Sequence, residues 1–214
     1  RGPYRLLMGS WLHGDLTMSD THSGEVDLGS EAPINYNEAR LRWFDRWLKG
    51  IDTGVDDCPP VRIFIMGGGD GRKNASGRLN HGGYWRDEQE WPLTRAHATK
   101  LYLQPGGSLT PNPPEEQASS STYRFDPTDP VPTIGGNISS LSTVRPIPSY
   151  ISDSSILPQA MRVEPIVVAG GWDQRVREDT YGGKPPYNIG LCARSDILVF
   201  QTAPLRYDTE VTGP

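Results

Sequence analysis

His13 is the residue whose type and position in the sequence best suit catalysis. It follows a short apolar segment, Tyr4–Met8, within the turn Gly9-Ser10-Trp11-Leu12-His13-Gly14. Histidine is the side chain most often used as a general acid or base near neutral pH. A lone histidine beside aromatic residues is more often structural, so the local context leaves both roles open.

The chain lacks a nucleophile that such a histidine would serve. It contains no Gly-x-Ser-x-Gly nucleophile elbow, no His-Glu-x-x-His metalloprotease motif, no phosphate-binding loop and no EF-hand. In one large class of serine hydrolases the catalytic serine, acid and histidine follow in that order, and the histidine lies after a late strand. A C-terminal part of such an enzyme would keep the histidine and lose the other two groups.

A metal site is the second interpretation of this segment. His13, Asp15, Asp20 and His22 lie within ten residues of one another, and imidazole with carboxylate suits zinc or iron. Their spacing matches no established metal motif, and a solvated polar loop explains the same residues.

Other acidic residues fit structural roles better than catalytic ones. Asp173 follows a strand-like run, as a triad aspartate would, but it lies C-terminal to His13 and reverses the expected order. We therefore expect Asp173 to pair with Arg175 or Arg177. The segment Asp126-Pro127-Thr128-Asp129 could bind calcium, but an Asp-Pro turn is favoured.

Asn74 and Asn137 each begin a sequence that matches the N-glycosylation sequon. Such a match matters only in a eukaryotic secreted protein.

The elements that must position His13 can be predicted in part. Tyr4–Met8 is predicted as a strand and Tyr36–Lys49 as a helix with one apolar face. Asn35 and Glu38 can form a capping box, Asp45 and Lys49 an ion pair, and Gly50 the stop. The first 35 residues offer no apolar partner for this helix. Further strands are predicted at Val61–Met66, Lys100–Leu103, Thr122–Phe125, Val163–Val168 and Asp196–Gln201.

Composition favours a turn-rich β protein and argues against several classes. There are 24 glycines and 20 prolines, about a fifth of the 214 residues. The net charge is −5 with no basic cluster, so we expect no nucleic-acid partner. No apolar run approaches the roughly 20 residues that span a bilayer, so no membrane span is expected. Cys58 and Cys192 are interpreted as two buried thiols, and a disulfide stays open.

Several segments together resemble the cocaine-esterase/X-Pro dipeptidyl-peptidase family, which includes α-amino-acid ester hydrolases and glutaryl acylases. They occur in the family's order and cover nearly the whole chain. The matching segments are Gly9–Gly14, Arg42–Gly50, Val61–Gly67, Trp85–Pro92, Asp129–Gly136, Asp173–Arg175 and Asp196–Leu205.

The resemblance implies a fold and a domain division. Residues 1–50 would end an α/β-hydrolase domain with a strand, the catalytic-histidine loop and one helix. Residues 51–60 would be a linker, and residues 61–214 an incomplete jelly-roll β-sandwich. The chain as a whole would be mostly β.

The resemblance also implies a function. His13 matches the catalytic histidine of a Ser-His-Asp triad whose serine and aspartate lie upstream, so the chain alone is expected to be inactive. Its partner would be the remainder of the hydrolase domain, and the substrate a small acyl ester, an amide or an X-Pro peptide. No cofactor or metal is implied. A homo-oligomer and a cytoplasmic, secreted or periplasmic location all stay open. The alternative is a non-catalytic β-sandwich that binds a ligand or accessory partner.

Overall fold

The computed structural model describes residues 3–12, 18–115, 120–136 and 169–212. The chain divides into two compact units. The first comprises Arg1–Gln89 with Thr133–Asp173, and the second comprises Glu90–Pro132 with Gln174–Pro214. The described elements are strands β1 (Leu6–Met8), β2 (His22–Ser23) and β3 (Val26–Asp27), helix α1 (Tyr36–Lys49), and strands β4 (Val61–Met66), β5 (Leu79–Asn80), β6 (Gly83–Glu88), β7 (Tyr102–Leu103) and β8 (Leu109–Thr110). The structure is therefore mostly sheet with one long helix, as predicted.

Strand β4 is the centre of the main sheet in the first unit. It pairs in parallel with β1, where Leu6 lies opposite Val61, and antiparallel with β6. Its β-branched residues Val61 and Ile63 are buried, as expected for a strand with a neighbour on each side. Strands β1 and β4 confirm two predictions. Strand β6 was not predicted, because its run of charged residues hides the strand pattern.

Helix α1 spans the predicted residues, and its end signals act as expected. The Asn35 side chain accepts a hydrogen bond from the Glu38 amide at 3.1 Å. Gly50 has φ +70°, and the amides of Gly50 and Ile51 donate to the carbonyls of Arg46 and Asp45. Lys49 and Asp45 form an ion pair at 2.6 Å. In the described part of the chain, no helix is long and apolar enough to cross a membrane.

The apolar face of α1 is exposed among the described residues, as the lack of an apolar partner in the first 35 residues predicts. No residue of α1 is buried, and Phe44 and Leu48 are 51% and 77% exposed. The helix is held instead through its polar side. Arg42 donates to the Thr53 carbonyl at 2.7 Å, and Arg46 pairs with Asp56 at 2.6 Å.

A second sheet supports the segment that follows the His13 turn. Strand β3 lies between β2, which is antiparallel to it, and β5, which is parallel. Leu28, Ala32 and Phe64 form the described core cluster of this unit, with Val26 and Trp85 packed against it.

A junction of glycines ties distant segments of the first unit together. Gly24 forms a β-bridge with Gly171, and Gly136 forms one with Gly170. The amide and carbonyl of Gly136 bond to those of Gly170 at 2.7 and 2.9 Å. A Cβ at Gly24 would lie 2.6 Å from the Gly171 carbonyl oxygen, and one at Gly170 would lie 2.4 Å from the Gly24 nitrogen, so these two positions require glycine.

The second unit has little regular structure among its described residues. Strands β7 and β8 form a two-stranded ribbon, and Ser108 bridges to Gln201. The predicted strand Lys100–Leu103 shortens to β7. The predictions of strands at Thr122–Phe125 and Asp196–Gln201 are wrong, because only Gln201 among these residues joins a bridge. The predicted strand Val163–Val168 lies outside the described residues.

Both cysteine thiols are free. Cys58 is half-buried and its Sγ lies 3.5 Å from the Gly54 carbonyl, whereas Cys192 is exposed. The interpretation of two buried thiols is therefore wrong for Cys192.

Candidate functional site

The candidate catalytic residue, His13, lies outside the described residues, as does Asp15 of the metal interpretation. The structure describes the chain on either side, at Leu12 and Met18, and so shows how the two ends of this segment are held.

The upstream end is anchored by Trp11. Its ring lies 6.3 Å from that of Tyr36 and 6.0 Å from that of Trp85, measured between centroids. Trp85 in turn packs edge-on against Phe64 at 5.3 Å and donates from Nε1 to the Glu31 carbonyl at 2.8 Å. Aromatic pairs at these separations contribute about 0.5–1.5 kcal/mol each beyond their buried area. The residue two positions before His13 is therefore fixed against the core.

Gly9 is required for this arrangement. A Cβ at position 9 would overlap the Trp11 ring, so a larger residue would displace the tryptophan from its aromatic neighbours. The glycine thus leaves room for the Trp11 ring.

The downstream end is anchored to the same corner of the molecule. The Ile34 amide donates to the Met18 carbonyl at 2.9 Å, and the Leu28 amide donates to the Thr21 carbonyl at 2.8 Å. Ile34 immediately precedes the cap Asn35, and Tyr36 begins helix α1. The two flanks of residues 13–17 therefore both contact the segment that leads into α1.

The remaining residues of the metal interpretation do not form a cluster. Asp20 is exposed, and His22 lies in strand β2 opposite Asp27. Among the residues that the structure describes, no group of three His, Cys, Asp or Glu side chains could hold a metal ion.

Asp173 has a structural contact in the first unit. Its amide donates to the Glu25 carboxylate at 3.0 Å, which connects the glycine junction to the chain after strand β2. Arg177, one of its two predicted partners, pairs with Asp179 at 3.2 Å.

The Asp126–Asp129 segment forms the predicted turn. Asp126 Oδ1 accepts from the Thr128 hydroxyl at 2.7 Å and from its amide at 2.8 Å, and these bonds, the hydroxyl first, lower the pKa of Asp126. Asp129 lies beside Arg194 at 3.4 Å and Lys184 at 3.7 Å. The carboxylate oxygens of Asp129 face Arg194 and Lys184, so this turn has a structural role.

Arg194 organises the same region of the second unit. Its guanidinium makes a fork to Asp196 at 2.7 and 2.8 Å and donates to the Asp129 carbonyl at 2.7 Å. The hydrogen bonds from Arg194 lower the pKa of Asp196, and the same contact raises the pKa of Arg194. The start of the segment Asp196–Gln201 is therefore held by an ion pair.

The Asn74 sequon is used structurally. Asn74 Nδ2 donates to the Asp27 carboxylate, and Oδ1 accepts from the amides of Ser76 and Arg78. The amide nitrogen that would carry a glycan is thus already engaged. The second sequon residue, Asn137, lies outside the described residues.

Sequence reasoning missed the aromatic anchor made by Trp11, Tyr36 and Trp85. The three residues are far apart in the chain, and their convergence depends on the pairing of β4 with β6. The one local signal was Gly9, whose missing side chain precedes Trp11 by two residues.

Comparison with known proteins places most of the chain in one family. Residues 53–214 match the X-Pro dipeptidyl-peptidase C-terminal non-catalytic domain. The match begins after helix α1, so His13 precedes it.

Individual relatives agree with this match. The chain is 31% identical to the cocaine esterase of Rhodococcus sp. (strain MB1 Bresler) over 145 residues, which is 63% of the chain and 22% of that enzyme. It is 27% identical over 123 residues to proteins of Mycobacterium bovis and Mycobacterium tuberculosis that are named as serine esterases, covering 58% of the chain and 17% of each. The chain thus spans about a fifth of the length of these relatives.

Proposed function

Because the chain belongs to the cocaine-esterase/X-Pro dipeptidyl-peptidase family, we propose that it is the C-terminal part of a serine hydrolase and supplies His13 to a Ser-His-Asp triad. The family match over residues 53–214 supports this proposal, because the matched C-terminal non-catalytic domain begins after helix α1 and leaves the His13 turn and α1 upstream of it. Residues 1–50 then end the α/β-hydrolase domain, residues 51–60 are the linker, and residues 61–214 form a truncated jelly roll.

The proposed chemistry is acyl transfer to serine and then to water. His13 takes the proton from the serine hydroxyl as that oxygen attacks the substrate carbonyl, and returns it to the leaving group. The triad aspartate holds the imidazole tautomer that leaves one ring nitrogen free to accept the proton. In the second half, His13 takes a proton from water as the water oxygen attacks the carbonyl of the acyl-serine, and returns that proton to the serine oxygen as the bond to the acyl carbon breaks and the acid leaves. The substrate class is an ester, an amide or an X-Pro dipeptidyl bond.

The described residues support this role by fixing the flanks of the histidine segment. A general base acts only within hydrogen-bond reach of the proton that it takes, and a misplacement of about 1 Å can cost 100-fold in rate. Trp11 on one side and the Met18–Ile34 hydrogen bond on the other join this segment to the start of α1. Such anchoring fixes the described chain on both sides of residues 13–17.

A non-catalytic binding or accessory module is the second candidate function. The description of the matched domain as non-catalytic favours it. In that case the chain would bind its ligand or partner without the hydrolase domain, and His13 would have no effect on catalysis.

A chimera tests the proposal. The 214 residues would replace the corresponding C-terminal region of the Rhodococcus cocaine esterase, and hydrolysis of a chromogenic aryl ester and labelling by a fluorophosphonate would be measured. We expect the chimera to do both and the isolated chain to do neither, because the serine lies outside it. A chimera that unfolds cooperatively but hydrolyses nothing would contradict the proposal, as would esterase activity in the isolated chain.

A further inference from the structure

The connection between strands β4 and β6 is long for two neighbouring antiparallel strands. Met66 lies opposite Gly83 at the end of their pairing, so residues 67–82 form the connection, whereas hairpin loops usually have about 2–5 residues. We call this segment the β4–β6 loop. It has internal hydrogen bonds, since the Asn74 amide donates to the Arg78 carbonyl at 2.8 Å, and it contains strand β5. Long ordered loops of this kind are commonly functional.

Two side chains of the β4–β6 loop reach the segment that lies between His13 and helix α1. Asn74 Nδ2 donates to the Asp27 carboxylate, where both side chains are partly buried. Arg78 Nε donates to the Gly24 carbonyl at 3.3 Å. Strand β3 and the turn before it are therefore tied to the loop by side chains.

Backbone hydrogen bonds from the same loop reach the same place. The Leu79 amide donates to the Glu25 carbonyl at 2.7 Å. The amides of His81 and Gly82 both donate to the Asp27 carbonyl, at 2.9 and 3.0 Å. Together with the side-chain contacts, these bonds place the loop along the length of β3.

A second segment of the matched domain also holds this turn. The Glu25 amide donates to the Gly171 carbonyl at 2.8 Å, and the Glu25 carboxylate accepts from the Asp173 amide at 3.0 Å. Both this segment and the β4–β6 loop belong to the matched non-catalytic domain, yet they lie in the same compact unit as residues 1–52. The structural unit therefore does not follow the boundary of the matched domain.

Strand β3 is connected in turn to the chain beside the histidine segment. Leu28 follows Asp27 and is 3% exposed, and its amide donates to the Thr21 carbonyl at 2.8 Å. Thr21 lies three residues after Met18, where the described chain resumes after residues 13–17. A shift of β3 would therefore be passed to the downstream flank of the histidine segment, and a misplacement of about 1 Å in a catalytic group can cost 100-fold in rate.

We propose that Asn74 and Asp27 are positioning residues for His13, and that the β4–β6 loop fixes the segment that follows the histidine. This inference rests on the proposed function and deepens it, because it gives the domain described as non-catalytic a part in catalysis. Asn74 suits this role because its Oδ1 accepts from the amides of Ser76 and Arg78 at 2.9 and 3.0 Å while its Nδ2 binds Asp27. One side chain thus shapes the loop and joins it to β3.

Exchanging the donor and the acceptor of this contact tests the proposal in the chimera. Asp27→Asn alone would set two amide groups against each other, and Asn74→Asp alone two carboxylates. The double variant Asp27→Asn/Asn74→Asp restores an amide-to-carboxylate hydrogen bond in the opposite direction, and its amide oxygen at position 27 can still accept from the Gly29 amide, as Asp27 Oδ1 does at 2.9 Å.

The kinetic expectation follows from a role in positioning without contact with substrate. Each single variant should lower kcat for the aryl ester by about 10- to 100-fold and slow fluorophosphonate labelling by a similar factor, because both reactions need the same base. KM should stay within about twofold. The double variant should recover kcat to within about threefold of the parent chimera.

Asp70→Asn is the matched control in the same loop. The Asp70 carboxylate accepts from Asn80 Nδ2 at 3.0 Å and from the Arg72 amide at 2.9 Å, so both partners lie within the loop. The chemical change equals that of Asp27→Asn but does not touch β3, and kcat should stay within about twofold. Urea unfolding of each variant establishes that all are folded under the assay conditions.

Hydrogen exchange of the peptide Met18–Leu28 in the same chimeras separates this inference from the proposed function. The single variants should exchange about tenfold faster than the parent, and the double variant should return to the parental rate, because a strand with fewer bonds opens more often. This pattern in a parent chimera without activity would reject the triad and retain the contact as the support of the segment.

Three results would overturn the positioning role. The first is parental kcat or parental exchange in both single variants. The second is a kcat that stays low in the double variant although it is folded. The third is a loss of kcat after Asp70→Asn as large as that after Asp27→Asn.

Discussion

Replacing His13 by alanine in the chimera with the Rhodococcus enzyme is expected to lower kcat by about 10⁴- to 10⁶-fold. The imidazole is the only triad group able to move the proton between serine, leaving group and water, so its removal leaves the serine hydroxyl without a base. A loss of this size corresponds to about 5–8 kcal/mol of transition-state stabilisation. Steady-state hydrolysis of the aryl ester, with fluorophosphonate labelling of the serine, measures the effect.

Two companion variants make this result specific. His13→Gln keeps a polar side chain of similar size and should be as inactive as the alanine variant, because an amide cannot act as a base. His22→Gln alters a histidine of the same segment that lies in strand β2 and should keep kcat within a few-fold. If His22→Gln were as damaging as His13→Ala, and activity required added zinc, the metal interpretation would replace the triad.

Replacing Gly170 by alanine is expected to destabilise the first unit by about 2–5 kcal/mol. Gly170 has φ +109°, which is strained for a residue with a side chain, and its added Cβ would lie 2.8 Å from the Gly24 Cα and overlap the Gly24 backbone. The cost therefore has two parts, a backbone strain and a steric overlap that only a shift of the junction relieves. Urea unfolding of the 214-residue chain, followed by tryptophan fluorescence, measures it.

Substitutions at two other glycines of the first unit distinguish the backbone strain from the steric overlap. Gly29 has φ +90° with open space at its Cβ position, so Gly29→Ala should show the backbone strain alone, about 1–2 kcal/mol. Gly68 has neither the positive φ nor a close neighbour, so Gly68→Ala should be neutral or stabilising by up to about 1 kcal/mol. Equal losses in the free energy of unfolding for Gly170→Ala and Gly29→Ala would show that the junction does not hold the segments together.

Local signals explain why some elements could be predicted from the sequence. Helix α1 carries its own boundaries, because Asn35 caps the first turn and Gly50 ends the last. Strand β4 is a continuous apolar and β-branched run, Val61–Met66, which a strand with two neighbours requires. Each of these depends on residues adjacent in the chain, so one sequence is enough.

Long-range strand pairing explains why some of the strand predictions were wrong. The segment Thr122–Phe125 has strand-like residues but pairs with no strand among the described residues. Strand β6 contains Arg86, Asp87 and Glu88 and becomes a strand because β4 lies beside it. The role of His13 is a comparable case. Its local context allowed both a catalytic and a structural interpretation, and the resemblance to a family, rather than spacing, favoured catalysis.

The helix face shows a different kind of partial success. The sequence predicts the apolar pattern of α1 and the lack of an apolar partner in the first 35 residues, and the exposed face agrees with both. Amphipathicity predicts that a face will be covered without saying by which segment. Phe44 and Leu48 are exposed among the described residues, and the sequence pattern does not identify what covers them.

We propose that these residues belong to a larger serine hydrolase, and the mass of the native polypeptide tests this proposal. The polypeptide would be purified from its source, treated with a fluorophosphonate probe and weighed intact by mass spectrometry. We predict a mass well above the 23.6 kDa of this chain, with one labelled serine upstream of His13. A native polypeptide of 23.6 kDa that takes no label would contradict the claim and favour the binding or accessory role.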